Sequence, residues 1–330
     1  MRRTTPALVL TTAGFLLLTA CTPDLPEVQV DPAPSAPPVV LTVDQDEVIL
    51  TAIGETLTAA SASLDPAALD SRVTGPALTF RTAEFTVATA TGSPDAISEI
   101  PTTVQSEVLP TTQTWPRTTF AVSERPQNLQ TERLLVTEQA TARDPYKLWG
   151  WIRLFPGVTL PAFPAAAIGT EAVAPDDPTL LLTPADAVAH YADLLTNGDA
   201  SPYLAEFPTD PLREQMSALR EKRAASAAEI TGTYTLQFTP TAGALRTLRT
   251  ADGGALVVGE ITSLETLKGE ESAKISPSPT EQAFIGATEP SNSLTVGRTS
   301  LVGIYIPPAS AGTPVSVIGS ELITTSASIP

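Results

Sequence analysis

The chain carries one cysteine, Cys21, and one histidine, His190, in 330 residues. A single thiol cannot close an internal disulfide, and a Cys/His zinc site, which needs about four ligands, finds too few of either residue. Lysine is nearly as scarce: four lysines and fifteen arginines face 36 acidic side chains, leaving a formal charge of −17. That balance lacks the clustered Lys/Arg by which proteins hold nucleic acid or an anionic membrane surface, so no nucleic-acid partner is expected. The sequence contains no glycine-rich phosphate loop, metalloprotease helix or serine-hydrolase elbow. No catalytic residue, cofactor or metal is assigned from it.

What is abundant is proline, 32 residues, with an apolar content of 42% against 17% charged. Such a chain can bury cores and is long enough for two ordinary domains. Arginine over lysine, with many alanines, is the bias of a GC-rich genome. Met1-Arg2-Arg3 followed by the twelve apolar residues Ala7–Leu18 is too short for a permanent membrane span, which needs about 20 residues, and fits a cleavable export signal. Losing residues 1–20, with their two arginines and no acid, takes the charge from −17 to −19.

Leu18-Thr19-Ala20-Cys21 resembles the lipobox of bacterial lipoproteins. The resemblance implies cleavage between Ala20 and Cys21 and acylation of the thiol. The membrane would then be a partner only through acyl groups on Cys21, each buried methylene contributing about 0.8 kcal/mol. This places the protein on the outer face of the cytoplasmic membrane. Residues 21–42 follow as a tether with six prolines, whose polyproline reach at about 3.1 Å per residue is roughly 65 Å.

Two α+β units are expected after the tether, at 43–165 and 183–330, joined by a linker at 166–182 within the Pro/Ala-rich stretch 156–182. Thr42 with Gln45 forms a capping signal, and Ile49, Ala52, Ile53, Leu57 and Ala60 share one helical face. Asp65-Pro66 starts a short second helix. Leu78, Phe80, Phe85 and Val87 alternate as a strand, and further strands fit 118–123, 133–141 and 147–155. The second unit repeats the order. Thr183-Pro184 and Asp210-Pro211 open helices, and strands follow at 233–239, 245–250, 255–264, 293–306 and 315–325. Asp252-Gly253-Gly254 reads as a hairpin turn, and 269–292 as a long mobile loop. This order of elements resembles the cystatin-like and NTF2-like folds, in which a curved sheet wraps a helix. The chain is also similar to actinobacterial cell-envelope lipoproteins of no established activity, through its lipobox, Pro-rich spacer, Arg72-Val73-Thr74-Gly75-Pro76, Trp115-Pro116-Arg117 and Asp144-Pro145-Tyr146-Lys147-Leu148-Trp149.

Few residues invite chemistry. His190, flanked by Asp186 and Asp193, is read as a solvated helix residue. Asp44-Gln45-Asp46-Glu47 opens like an EF-hand loop but puts Ile49 where that loop requires glycine, so these acids are read as a helix first turn. Tyr146, Trp149 and Trp151 form the densest aromatic block: they are candidate binding residues if exposed, and core if not. The resulting expectation is a non-enzymatic binding or assembly module with an envelope-protein or cell-wall partner. The alternatives are a carrier or enzyme using the concave pocket of an NTF2-like sheet, and a passive surface spacer. Replacing Cys21 by alanine is expected to abolish lipid labelling and release the protein from the membrane fraction; unchanged labelling would refute the anchor.

Overall fold

In the computed structural model, which describes residues 37–330, Thr42 caps helix α1 (Val43–Ser63) through a reciprocal pair with Gln45. Ala20, Cys21 and the tether up to residue 36 lie outside the described residues. The end of the tether is packed rather than free: Val39 and Leu41 sit against Leu109 and Tyr146, and the Val40 N–H donates to the Pro110 carbonyl at 3.0 Å. Asp65 caps a 3-10 turn at Pro66–Leu69.

Gly75–Thr91 is a helix, α2, and not the strand expected from Leu78 and Phe80. Its buried positions Ala77, Phe80, Arg81, Glu84, Phe85 and Ala88 recur every three to four residues. The short alternation seen at 78–81 is what any stretch of such a helix shows when read over four residues. Pro76 in its first turn supplies the start signal. Four antiparallel strands follow, β1 (Val104–Val108), β2 (Arg117–Ser123), β3 (Arg133–Gln139) and β4 (Lys147–Leu154).

The second half opens with α3 (Pro184–Asn197), capped by Thr183, and α4 (Pro211–Glu229), capped by Asp210. Strands β5 (Thr233–Arg249), β6 (Ala255–Lys268), β7 (Ser293–Ile306) and β8 (Ser316–Ser328) complete it. The expected breaks at 239–245 are an irregularity inside one long strand. The stretch 269–292 is not a bare loop. Ser278 and Glu281 form a capping box that starts α5 (Pro279–Ile285), and Ile275 pairs with Ser291.

The eight strands form one antiparallel sheet in the order β1-β2-β3-β4-β8-β7-β6-β5, curled into an open half-barrel. The fold is therefore α+β, with helices on a curved antiparallel sheet. The two expected units are joined: the described residues make one compact body. The first core cluster takes Leu50, Phe80, Leu135 and Trp151 from one half and Leu248, Leu256, Leu301 and Ile318 from the other. The join is narrow, since β4 meets β8 at Arg153↔Ser320 and Leu154↔Gly319. Gly319 permits it, because a Cβ there would lie 2.4 Å from the Arg153 carbonyl oxygen.

The expected linker is a strap. Thr170 exchanges backbone bonds with Leu109 and Thr111 (2.9 and 2.8 Å), and its hydroxyl donates to the Arg249 carbonyl at 2.7 Å. Val173 donates to Thr247 and Leu181 to Pro307. The strap thus ties the chain just past β1 to β5, across the open side of the curl. Arg246 of β5 completes the closure by pairing with Glu138 of β3 and lying 4.4 Å over the Trp149 ring.

A shared core makes the halves unfold together. All three tryptophans lie in the first half, so their fluorescence reports that half and its contacts with the second, whereas far-UV circular dichroism reports both halves throughout. The two signals are expected to follow one urea transition, and Gly319→Val to lower its stability by about 1–3 kcal/mol through overpacking. Two separated transitions in the wild-type protein would show independent domains.

Candidate functional site

The aromatic block is core. Tyr146, Trp149 and Trp151 are 6%, 4% and 0% exposed, so none offers a ring to a ligand. Trp151 packs edge-to-face on Phe80 at 5.3 Å, and Trp149 lies where a side chain on Gly75 would collide with it. They were sequence candidates because a dense aromatic strand looks the same whether it faces a ligand or, as here, helix α2.

His190 is half-buried rather than fully solvated, and its partners are not the two flanking acids. Its Nδ1 lies 2.7 Å from Glu206 Oε2, and its ring stacks on Tyr203 at 3.6 Å and 9°. Asp186 instead bonds its own cap residue Thr183, and Asp193 accepts from Ser201 Oγ at 2.6 Å and from Asn197. The nearby hydroxyl, Ser201, is thereby committed to Asp193 rather than to the imidazole. The group clamps α3 to the turn at 204–206.

A groove of about 960 Å³ lies between α1 and the region leading into β1. One wall is the α1 face carrying Glu47, Gly54, Glu55 and Thr58, and the other runs from Ser98 to Val104 and on to Glu107. Gly54 sets the walls' closest approach, since a Cβ there would lie 2.4 Å from Thr102 Oγ1. At the floor lies Arg81 of α2. It is 2.9 Å from Glu84 and donates to the Ser98 carbonyl at 3.0 Å, while the Ser98 N–H returns a bond to Glu84. Burial pulls the Arg81 pKa down, against the pull of Glu84 and Glu321. Glu99 fixes the far end by accepting from the Gln127 and Asn128 amides at 2.8 and 3.3 Å.

The groove is acidic. Its lining carries Glu47, Glu55, Glu99, Glu107 and Glu124 against Arg81 and Arg125, and those arginines pair with Glu84 and Glu132. Burial and then the charges of Glu47 and Asp44 raise the pKa of Glu107. Among the described residues no group of three or more His, Cys, Asp or Glu is placed to hold a metal ion.

Behind this wall sits Asp46, in the first turn of α1 as expected. It is fully buried, and neither carboxylate oxygen has a hydrogen-bond partner. Burial, then Glu107, raises its pKa from 3.8 to about 7. Tyr146, whose hydroxyl is also buried without a partner, is pushed up to about 12 by burial. The signal for Asp46 was present in the spacing: Asp46, Leu50, Ile53, Leu57 and Ala60 are the buried positions of α1 and lie on one helical face.

Folded Asp46 holds its proton more tightly than the unfolded chain does. Between about pH 4 and pH 7 the folded state binds more protons, so stability falls as pH rises through that window and stays low above it. Asp46→Asn removes this titration. Its stability relative to wild type is expected to grow by about 2–3 kcal/mol from pH 5 to pH 8, at about 1.4 kcal/mol per pKa unit, measured by urea unfolding at both pH values. A difference independent of pH would contradict the buried carboxyl.

A profile of the family described as a domain of unknown function, DUF8094, matches residues 37–328. No curated protein matches the chain. No solved structure matches it either. With nearly every described residue inside the match, the chain belongs to the DUF8094 family.

Proposed function

We propose that this protein is a lipid-anchored module of the bacterial cell envelope that binds or assembles a partner in the groove between α1 and β1. The observation that carries this is the groove: an open, acidic concavity of about 960 Å³ whose walls are held in place by the Arg81–Glu84–Ser98 and Glu99 bonds. A site held by its own hydrogen bonds loses little freedom on binding. The lipobox and tether motivate the location, with the membrane engaged through acyl groups on Cys21 and the acidic body repelled from anionic lipid.

The NTF2-like alternative, with a carrier or enzyme pocket in the concave face, has less support. That face is occupied by buried side chains such as Leu256, Val258 and Leu301, beside a slot of about 390 Å³ lined by Leu160 and Phe163, just ahead of the strap. A passive spacer would use no groove at all.

Thr58 is exposed on the groove wall and Ser310 is exposed away from it. A photocrosslinking amino acid at Thr58, in the anchored full-length chain within its own envelope, is expected to yield a discrete adduct that the same probe at Ser310 does not. Equal or absent crosslinking at the two positions would favour the passive spacer.

A further inference from the structure

Strand β1 is the end strand of the sheet: it pairs with β2 on one side, and among the described residues no strand pairs with its other side. Cover stops short of it. The strap pairs with Leu109 and Thr111, and Val40 with Pro110, while among the described residues 104–108 has no main-chain partner on that side. An unprotected edge is a template for another strand unless charge or geometry blocks it. Here Val104 and Glu107 of that strand also line the acidic groove.

We propose that the groove takes an extended peptide segment of a partner protein, bearing Lys or Arg at alternate positions, which adds to β1 as a ninth strand. This deepens the proposed function and rests on it. In strand addition, main-chain hydrogen bonds supply affinity and alternate side chains supply selection. A strand beside β1 lies between this edge and the α1 wall. Its side chains at every second position meet Glu47 and Glu107, whose mutual repulsion a cation relieves. The same charges disfavour a second copy of this chain, because two acidic edges facing each other would repel. The chain's overall charge of −17 adds long-range attraction for a basic segment.

The test uses the full-length protein in a neutral detergent and fluorescein-labelled eight-residue peptides of alternating Lys and Thr or alternating Glu and Thr, followed by anisotropy. The Lys/Thr peptide is expected to bind at least tenfold more tightly than the Glu/Thr peptide. The double variant Glu47→Gln/Glu107→Gln is expected to weaken it at least tenfold. Glu270→Gln/Glu271→Gln, which removes two exposed charges elsewhere, should leave it unchanged. N-methylation of alternate amides along one edge of the peptide should abolish binding, and along the other edge spare it. Equal affinity for both peptides, equal weakening by the two double variants, or the same effect of N-methylation along both edges would overturn the inference. A Thr58 adduct in the envelope without Lys/Thr binding would overturn this inference while leaving the groove as a binding site.

Discussion

The two-residue pairing of β4 with β8 is the constraint on which the rest of the structure depends. It turns two four-stranded runs into one sheet, and the charges beneath it show what that costs. Arg81, Glu84, Arg133 and Glu321 are all nearly or fully buried there, with Arg153 reaching Glu321 at 3.4 Å. Burial raises the Glu321 pKa, and Arg153 and Arg133 oppose it. Arg133 is held by the Thr131 carbonyl at 2.9 Å and by Gln130. Breaking such a cluster by deleting one partner leaves an uncompensated buried charge, at a cost of about 3–5 kcal/mol.

From that join the remaining architecture follows. Continuous twist curls eight strands, and close approach at Gly150 and Gly303 lets Leu301 and Ile152 fill the interior. The strap then bridges the chain beyond β1 to β5. Arg249 anchors it through Glu171 and Asp177, and Thr179 bonds, followed by Arg249, hold the Asp177 carboxyl down at about 2. Closing the curl in this way uses the chain beyond β1 but not β1 itself. The groove exists because α1, positioned by its buried face, stands off from an edge that the strap has left open.

Much of the local structure was legible. The caps at Thr42, Asp65, Thr183 and Asp210 each mark a helix start because a side-chain oxygen there satisfies amides the helix cannot. The long strands β6 and β7 declared themselves by length and β-branched content. The misses have physical causes. Helix α2 was hidden by β-rich residues such as Thr79, Phe80 and Phe85, whose helical spacing shows only over the full seventeen residues. Strand β1 is short and polar, and it is a strand because β2 lies beside it. The second-unit cap at Ser278 was masked by a Ser-Pro repeat that reads as loop.

The sequence by itself determined the acidic balance, the capped starts of α1, α3 and α4, the alternation of long strands and the lipobox resemblance, all readable from composition or from residues close together in the chain. Only the tertiary structure decided that Trp149 and Trp151 are core, that His190 pairs with Glu206 rather than its flanking aspartates, and that the halves share one sheet. It also decided where the acids converge: Asp46 and Glu107 lie 61 positions apart in the chain, yet the charge of Glu107 adds to burial in raising the Asp46 pKa. Periodicity reports which face of an element is apolar, but which element covers that face, and which edge stays open, depends on contacts between residues far apart in sequence.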